Sequence, residues 1–473
     1  QSDSAVSERI RSPRAELWLN VGRTCNLTLC NVGLGLTIAL HAVALPDLGE
    51  IYSTSTSEMS RIFTTCGVGL VVGSLIGGKL YDTYNTQVVT IIAMALNSCT
   101  VLLIPLSGNL PLAHVMVFFT ALSMDALFTG TTVWIMKMWP ENSSPALQLA
   151  SVANGVGSGV APFIARPFLS TQGVYNENLL AEIMNMTLND TGRVPIEPLE
   201  RLNTTALELG ATDSTIYFAF VIVSAFQLVL VASMMALYFI DSTSFKTRRT
   251  DALDNATASV RESARYTRFV RITLALLCAY GIVYYALGST ISSMLMSFAV
   301  KCDLHFSKPM ASRLAAVYFF SSTASRLAAA LVGIKLPPFY VLAASEAFLV
   351  TAATVLLTSG STSATALWLG SALAGIGQGP LNGAAMAWVA NHINVSNMMM
   401  SVFMVITAIG IMCSPSLVGH FLDHNPNVFL YVCFANVILS VAFFAGMSFH
   451  LRRQPLLREK RLFVVNVTDE KSL

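Results

Sequence analysis

The sequence predicts an all-α membrane protein of twelve transmembrane helices in two six-helix bundles, and three observations carry that expectation. The first is composition. Of 473 residues, 54% are hydrophobic and 11% charged, where soluble domains carry roughly 25% charge. The 26 acidic and 28 basic residues nearly cancel, and mean hydropathy is +0.62. Such a chain could not cover its own surface in water. A cytosolic enzyme, a disordered chain and a nucleic-acid binder, which would need a basic face, are excluded. The second is a series of about twelve stretches near the ~20 residues that a helix needs to cross a bilayer. The third is a set of matching residues that recur at one offset in the two halves of the chain.

The stretches fall at 24–46, 59–80, 87–107, 111–135, 145–168, 215–240, 270–298, 310–334, 338–358, 364–390, 396–419 and 427–449. A transmembrane β-barrel would alternate apolar and polar residues over ~10-residue segments. Runs such as Phe218 to Ile240 do not alternate. Seven of the eight cysteines, all but Cys302, lie inside apolar runs and read as small buried hydrophobes. The chain begins with Gln1 and reads as truncated. No basic-then-apolar signal peptide occupies its first 20 residues, so the first helix is expected to be its own insertion signal.

These stretches divide the chain into an N-terminal arm (1–23), a first bundle (24–240) with a long loop at 170–214, a linker (241–269), a second bundle (270–450) and a tail (451–473). With twelve crossings both termini share one side. Placing them in the cytoplasm puts Arg9, Arg11, Arg14 and Arg23 of the arm there, with the basic linker and the basic tail. Most of the 28 basic residues then lie inside, as the positive-inside rule asks. The loop 170–214 then faces outward, and it carries glycosylation sequons at Asn185, Asn189 and Asn203.

Gly157 and Pro162 in the fifth stretch match Gly410 and Pro415 in the eleventh. The same offset carries Gly130 onto Gly383 and Asp125 onto Gln378. Two six-helix repeats joined by a basic linker is an architecture of secondary transporters, with the site between the halves near the membrane midplane.

Charge at membrane depth costs ~3 kcal/mol on insertion scales, so each buried charge is a candidate. Asp125 lies midway along the fourth stretch, suited either to ion coupling and sugar hydroxyls or to capping polar groups between helices. His41 in the first stretch is a hydrogen-bonded helix contact or a proton relay. Asp47, near the outer end, is expected to be hydrated, and Glu346 to be structural. Arg326 could gate through a salt bridge or snorkel. Gln378 and Asn382 are four apart and share a helical face. Their amides suit neutral, hydroxyl-rich ligands, and Gln148 and Asn154 are similar. Trp134 and Trp388 could stack on a sugar ring or anchor at the interface. His420 and His424 have metal spacing but no third ligand beyond Asp423, so no metal is expected. No phosphate loop or nucleophile elbow is present.

Several motifs carry a resemblance. Gly33-Leu-Gly-Leu-Thr-Ile-Ala followed by Asp47-Leu48, and Pro145, Gln148, Gly157 and Pro162 with Ile164-Ala165, resemble the sodium-dependent glucose transporter-like group of the major facilitator superfamily. Gly77-Gly-Lys-Leu-Tyr-Asp82 resembles that superfamily's inner-loop motif, matched at Gly78 and Asp82. Relatives carry an acid at the position of Phe128 and a His at that of Ser151. Here the nearest acid is Asp125, one turn earlier. The resemblance implies the major facilitator fold and alternating-access transport of a sugar, coupled to Na+ or H+. Asp125 would couple or bind hydroxyls. Gln378, Asn382, Gln148, His41, Trp134 and Trp388 would line the site, and Asp82, Gly78 and Arg326 would gate. No enzyme activity and no cofactor are expected. The expected partners are a small polar solute, a hexose first, and the lipid of a plasma or internal membrane, with the protein a monomer. The rival expectation is a transporter-shaped receptor or scaffold without flux. A transferase would need paired catalytic residues, and His41 and Asp47, six apart, do not share a face.

Overall fold

The computed structural model describes residues 13–139, 143–170, 214–241, 264–333, 336–393 and 397–452. These form α-helices and one short 3-10 turn, and no strand occurs among the described residues. The helices are α1 (Pro13–Ile51), α2 (Thr56–Thr83), α3 (Thr86–Leu103), α4 (Leu110–Met138), α5 (Ser143–Ala165), α6 (Tyr217–Ile240), α7 (Ala264–Lys301), α8 (Lys308–Val332), α9 (Pro338–Ser359), α10 (Ala364–Gln378), α11 (Leu381–Ala390), α12 (Asn397–Leu422) and α13 (Val428–Leu451). Ten of them are long and apolar enough to cross a membrane. The other two crossings are α5, rich in glycine and serine, and the pair α10–α11. The protein is a multi-pass integral membrane protein, with twelve crossings among the described residues.

Local sequence sets the helix ends. Ser55, Asn85, Asn109 and Ser363 each accept a hydrogen bond from a first-turn backbone N–H of the helix that follows, which supplies donors that would otherwise be orphaned. α1 starts at Pro13, whose missing N–H costs nothing at a helix start. It therefore reaches back into the stretch read as an N-terminal arm, and α7 likewise begins within the stretch read as a linker. The single helix expected over 364–390 is instead two, broken at Gly379-Pro380. Proline removes one ladder hydrogen bond and its ring clashes with the preceding turn.

The two halves repeat each other. In the first, α5 packs on α1; in the second, α12 packs on α7. A Cβ at Gly157 would lie 2.1 Å from the Val32 carbonyl oxygen, and one at Gly410 would lie 2.2 Å from that of Ile282. Only glycine allows either pair of backbones to approach so closely. The match of Gly130 with Gly383 is not reproduced. Gly130 abuts the Tyr81 ring, whereas Gly383 faces open space.

The halves meet through α2 against α12, α5 against α8, and α1 against α7. Small residues stand at these seams: Gly419 faces Ser60, and Gly155 faces Thr323. All eight cysteines are free, and Cys302, after α7, is buried. Asn185, Asn189 and Asn203 lie outside the described residues.

Candidate functional site

The chain starts α1 and ends α13 at the same end of the bundles, here the terminal end; the opposite end is the distal end. Midway along α7 stand Tyr284 and Tyr285, whose rings stack at 4.5 Å between centroids. Tyr284 is buried and its hydroxyl donates to Asn382 Oδ1 at 2.9 Å. Gln378 Nε2 donates to the Tyr284 carbonyl at 2.9 Å. A helix break separates Gln378 from Asn382, yet both still reach one tyrosine. Gln378 Oε1 is buried and has no hydrogen-bond partner.

From the first half, Asp125 comes within electrostatic reach of Tyr285 and stands beside Ser74 of α2. It is half-buried in the middle of α4. Arg326 of α8 approaches the same tyrosines from the second half. Its Nε donates to the Gly379 carbonyl at 3.3 Å, at the helix break. Its Nη1 reaches the Ser151 carbonyl and hydroxyl of α5, at 3.4 and 3.5 Å. Arg326 thus turns inward instead of snorkelling, and it forms no ion pair among the described residues. A guanidinium, two phenols and two amides therefore gather around one segment of α7, with the Asp125 carboxyl at longer electrostatic range.

The distal end is tied shut by a separate set of contacts. Lys308, at the start of α8, pairs with Asp47 of α1 at 2.9 Å and with Glu50 at 2.5 Å, and also donates to Ser170. Asp47 is fully buried and accepts from the Ser170 N–H at 2.8 Å and the Ser214 hydroxyl at 2.5 Å. It is not hydrated as expected; the cross-bundle cation replaces water. Lys301 pairs with Asp423 and donates to Thr56. Ser57 donates its N–H to Asp423 at 3.1 Å and shares a 2.8 Å hydrogen bond with His420. Burial alone would raise the Asp423 carboxyl, but Lys301, Thr56 and the Ser57 N–H hold it below its ordinary value. His420 therefore serves this seam, and no group of metal ligands occurs among the described residues.

Other expected site residues lie elsewhere. His41 Nδ1 meets the Thr37 carbonyl at 2.6 Å, and its ring stands edge-on to Phe220 at 6.0 Å. It therefore serves the α1–α6 contact within one half. Trp134 is buried beside Leu27 and Met234 at the terminal end of the first half. Trp388 packs on Phe339 and Phe444, at 5.4 and 5.6 Å. Both indoles pack in the core of their own bundle, and Trp134 also lines a small pocket with Asn26 and Ile91. Gln148 is exposed on α5, while Asn154 donates to the Asn31 carbonyl at 3.4 Å and knits α5 to α1. No Cβ contact awaits at Gly78, and the Asp82 side chain lies outside the described residues. Glu346 is buried as a structural acid, accepting from Tyr280 and Ser440 at 2.7 Å each. The sequence reading missed Tyr284 and Tyr285. The signal was there, as adjacent phenols halfway along an apolar run.

Comparison with known proteins bears on this arrangement. The Major Facilitator Superfamily model matches residues 27–178. The chain is 23% identical to the mouse sodium-dependent glucose transporter 1A over 430 residues, covering 90% of this chain and 96% of that protein. It is 22% identical to the human sodium-dependent glucose transporter 1, covering 91% and 79%. The chain shares the major facilitator fold, and its residues 27–178 carry the family's sequence pattern. Solved structures of the same fold include a bacterial homologue of the human lysosomal transporter Spinster, with a TM-score of 0.64 at 14% identity, covering 93% of this chain and 98% of that one. A D-xylose–proton symporter matches with a TM-score of 0.63 at 11% identity, covering 92% and 98%. The E. coli fucose:proton symporter matches with a TM-score of 0.56 at 15% identity, covering 91% and 99%. These proteins are named as transporters or as a transporter's homologue.

Proposed function

We propose that the protein is a secondary carrier that moves a small polar solute of hexose size by alternating access, driven by Na+ or H+ or by the solute gradient alone. The observation that carries this reading is a polar cluster where the halves meet: Gln378 donates to the Tyr284 carbonyl, Asn382 accepts from the Tyr284 hydroxyl, and Arg326 reaches from the helix break to Ser151 of the first half. Phenols, amides and a guanidinium offer the directional hydrogen bonds that a hydroxylated solute needs, and Asp125 offers a seat for the coupling cation. In this reading the distal ion pairs form one gate, and the site communicates with the terminal end. The superfamily relatives named for sodium-dependent glucose transport agree with a sugar-like solute and a cation.

The basic arm, linker and tail favour a cytoplasmic terminal end. The distal loop would then carry any glycans at Asn185, Asn189 and Asn203, in the plasma membrane or an internal one. The test is uptake of labelled hexoses into proteoliposomes under an imposed Na+ gradient, an imposed H+ gradient, and neither. Saturable uptake in at least one condition is expected. Saturable binding with no flux in any condition would replace the carrier with the receptor reading.

A further inference from the structure

The centre of the site holds a charge that its own residues leave unanswered. Arg326 cannot lose its proton under biological conditions, and a guanidinium at membrane depth is expensive unless something answers its charge. Its contacts are the Gly379 carbonyl and the Ser151 carbonyl and hydroxyl, all neutral and all between 3.3 and 3.5 Å. Those lengths sit at the weak end of hydrogen bonding. Among the described residues, no carboxylate lies within ion-pair range of Arg326 and its Nη2 makes no hydrogen bond.

The neighbouring groups are unequally occupied. Gln378 has spent its amide N–H on the Tyr284 carbonyl, and its Oε1 is a buried acceptor without a donor. Asn382 has spent its Oδ1 on the Tyr284 hydroxyl, and its exposed amide still offers N–H donors. Open space adjoins Gly383, in the first turn of α11, where unpaired amides favour a negative group. A buried acceptor without a donor and a cation without an anion therefore adjoin the same break at Gly379-Pro380: Gln378 precedes it in the chain, and Arg326 donates to the Gly379 carbonyl.

We infer that the site takes a polyhydroxy carboxylate, a sugar acid of hexose size, whose carboxylate is held by Arg326 and whose hydroxyls are held by Gln378 and Asn382. This rests on the carrier reading above and narrows its solute from a sugar in general to an acidic one. A neutral hexose could satisfy Gln378 and Asn382 but would leave the guanidinium uncompensated. A sugar phosphate brings two charges to one cation, with the Asp125 carboxylate near the same tyrosine pair, so a monoanion fits better. Arginine suits the task because its planar fork can grip a carboxylate with two parallel hydrogen bonds.

The experiment uses the full chain in proteoliposomes, with labelled D-glucuronate, D-glucose and glucose 6-phosphate as probes. Saturable D-glucuronate uptake is expected, with excess D-glucuronate suppressing D-glucose uptake. Arg326→Gln is expected to lower D-glucuronate uptake at least about tenfold, and Arg326→Lys by less. A second measurement guards against misfolding: purified Arg326→Gln and Arg326→Lys should unfold at parent-like temperatures, so that their order of D-glucuronate uptake reports the grip on the carboxylate. D-glucose uptake indifferent to excess D-glucuronate would overturn the inference and leave the carrier reading standing. Preference for glucose 6-phosphate would do the same. Failure of all three probes to enter would remove the sugar-carrier reading and this inference together.

Discussion

Lys308 and Asp47 form a 2.9 Å ion pair between the two halves, with 7% and 0% of their side chains exposed. A buried pair of this kind is costly to break from one side, because the survivor keeps its charge without water. The two partners are not equivalent. Lys308 also holds Glu50, which is 41% exposed, whereas Lys308 is the only cation against Asp47 among the described residues.

Loss of Lys308 should therefore cost more than loss of Asp47. Lys308→Met is expected to weaken distal closure by about 3–5 kcal/mol, the usual scale for stranding a buried charge. Asp47→Asn should cost less, and the double variant should recover part of the loss. Ser312→Cys reports the outcome, since Ser312 is buried and donates to the Pro162 carbonyl at 2.7 Å across the seam. An impermeant maleimide should label that cysteine faster in Lys308→Met than in Asp47→Asn. Equal rates would mean that the pair does not hold the gate.

The second distal pair adds a dependence on pH. Lys301 and its neighbours hold the Asp423 carboxyl below its ordinary 3.8. A lowered value means that the charged form is favoured in the closed, folded state. The pair's contribution is complete above the ordinary carboxylate range and is lost as pH falls through the lowered value. Thermal unfolding of the purified protein, followed down through that range, should show a loss of stability that Asp423→Asn removes in part. An identical profile in the variant would show that the pair contributes nothing.

How much of this was legible in the sequence follows from what each residue must satisfy alone. The crossings were readable because hydrocarbon tests every residue of a span, so length and composition suffice. Asp125 and Gln378 stood out because polar groups are conspicuous in apolar runs. Tyr284 and Tyr285 did not, since a phenol is hydrophobic enough to pass as core. Trp134 and Trp388 were misassigned because spacing does not say whether a helix face looks into its own bundle or toward the other. Lys308 and Asp47 each sit near a helix end, where water is the ordinary partner. Only the docking of α8 against α5 across the seam brings Lys308 to Asp47. The break at Gly379-Pro380 was visible as a dipeptide, but its use as the landing place for Arg326 depends on a helix far away in the chain.

The seams between the halves should be sensitive to a single methyl group. A Cβ at Gly419 would lie 2.1 Å from the Ser60 Cβ, far inside contact distance, and overpacking of this kind costs about 1–3 kcal/mol. Because the contact belongs to the distal seam, Gly419→Ala should pry that end open, slowing uptake and raising Ser312→Cys labelling. Gly446→Ala, with nothing within 4 Å of the added methyl, should be silent in both assays. If Gly419→Ala were equally silent, the halves would not need to close this tightly.

Asp125 carries the coupling proposal, and its neutral isostere separates coupling from folding. Asp125→Asn keeps the shape and loses the charge. Gradient-driven uptake should fall at least about tenfold, while solute exchange without a gradient should persist. Uptake still driven by the gradient in this variant would remove Asp125 from that role and leave the rest of the site standing.

Glu346 looks like a second candidate for coupling, but its contacts argue for a structural part. Its Oε1 accepts from Tyr280 of α7 and Ser440 of α13, at 2.7 Å each, so the side chain of α9 clamps three helices of one half. Its Oε2 is buried without a hydrogen-bond partner, as a carboxyl with no cation beside it would be. Removing the acceptor strands two buried hydroxyl donors and opens a cavity. Glu346→Ala should therefore lose about 2–4 kcal/mol of stability, the range for such losses together. Glu346→Gln keeps an acceptor oxygen and should lose much less. Neither change touches the tyrosine pair that faces Asp125 and Arg326, so KM for the solute should stay near the parent value in whatever fraction remains folded. A large rise in KM with unchanged thermal stability would place Glu346 in the transport cycle instead.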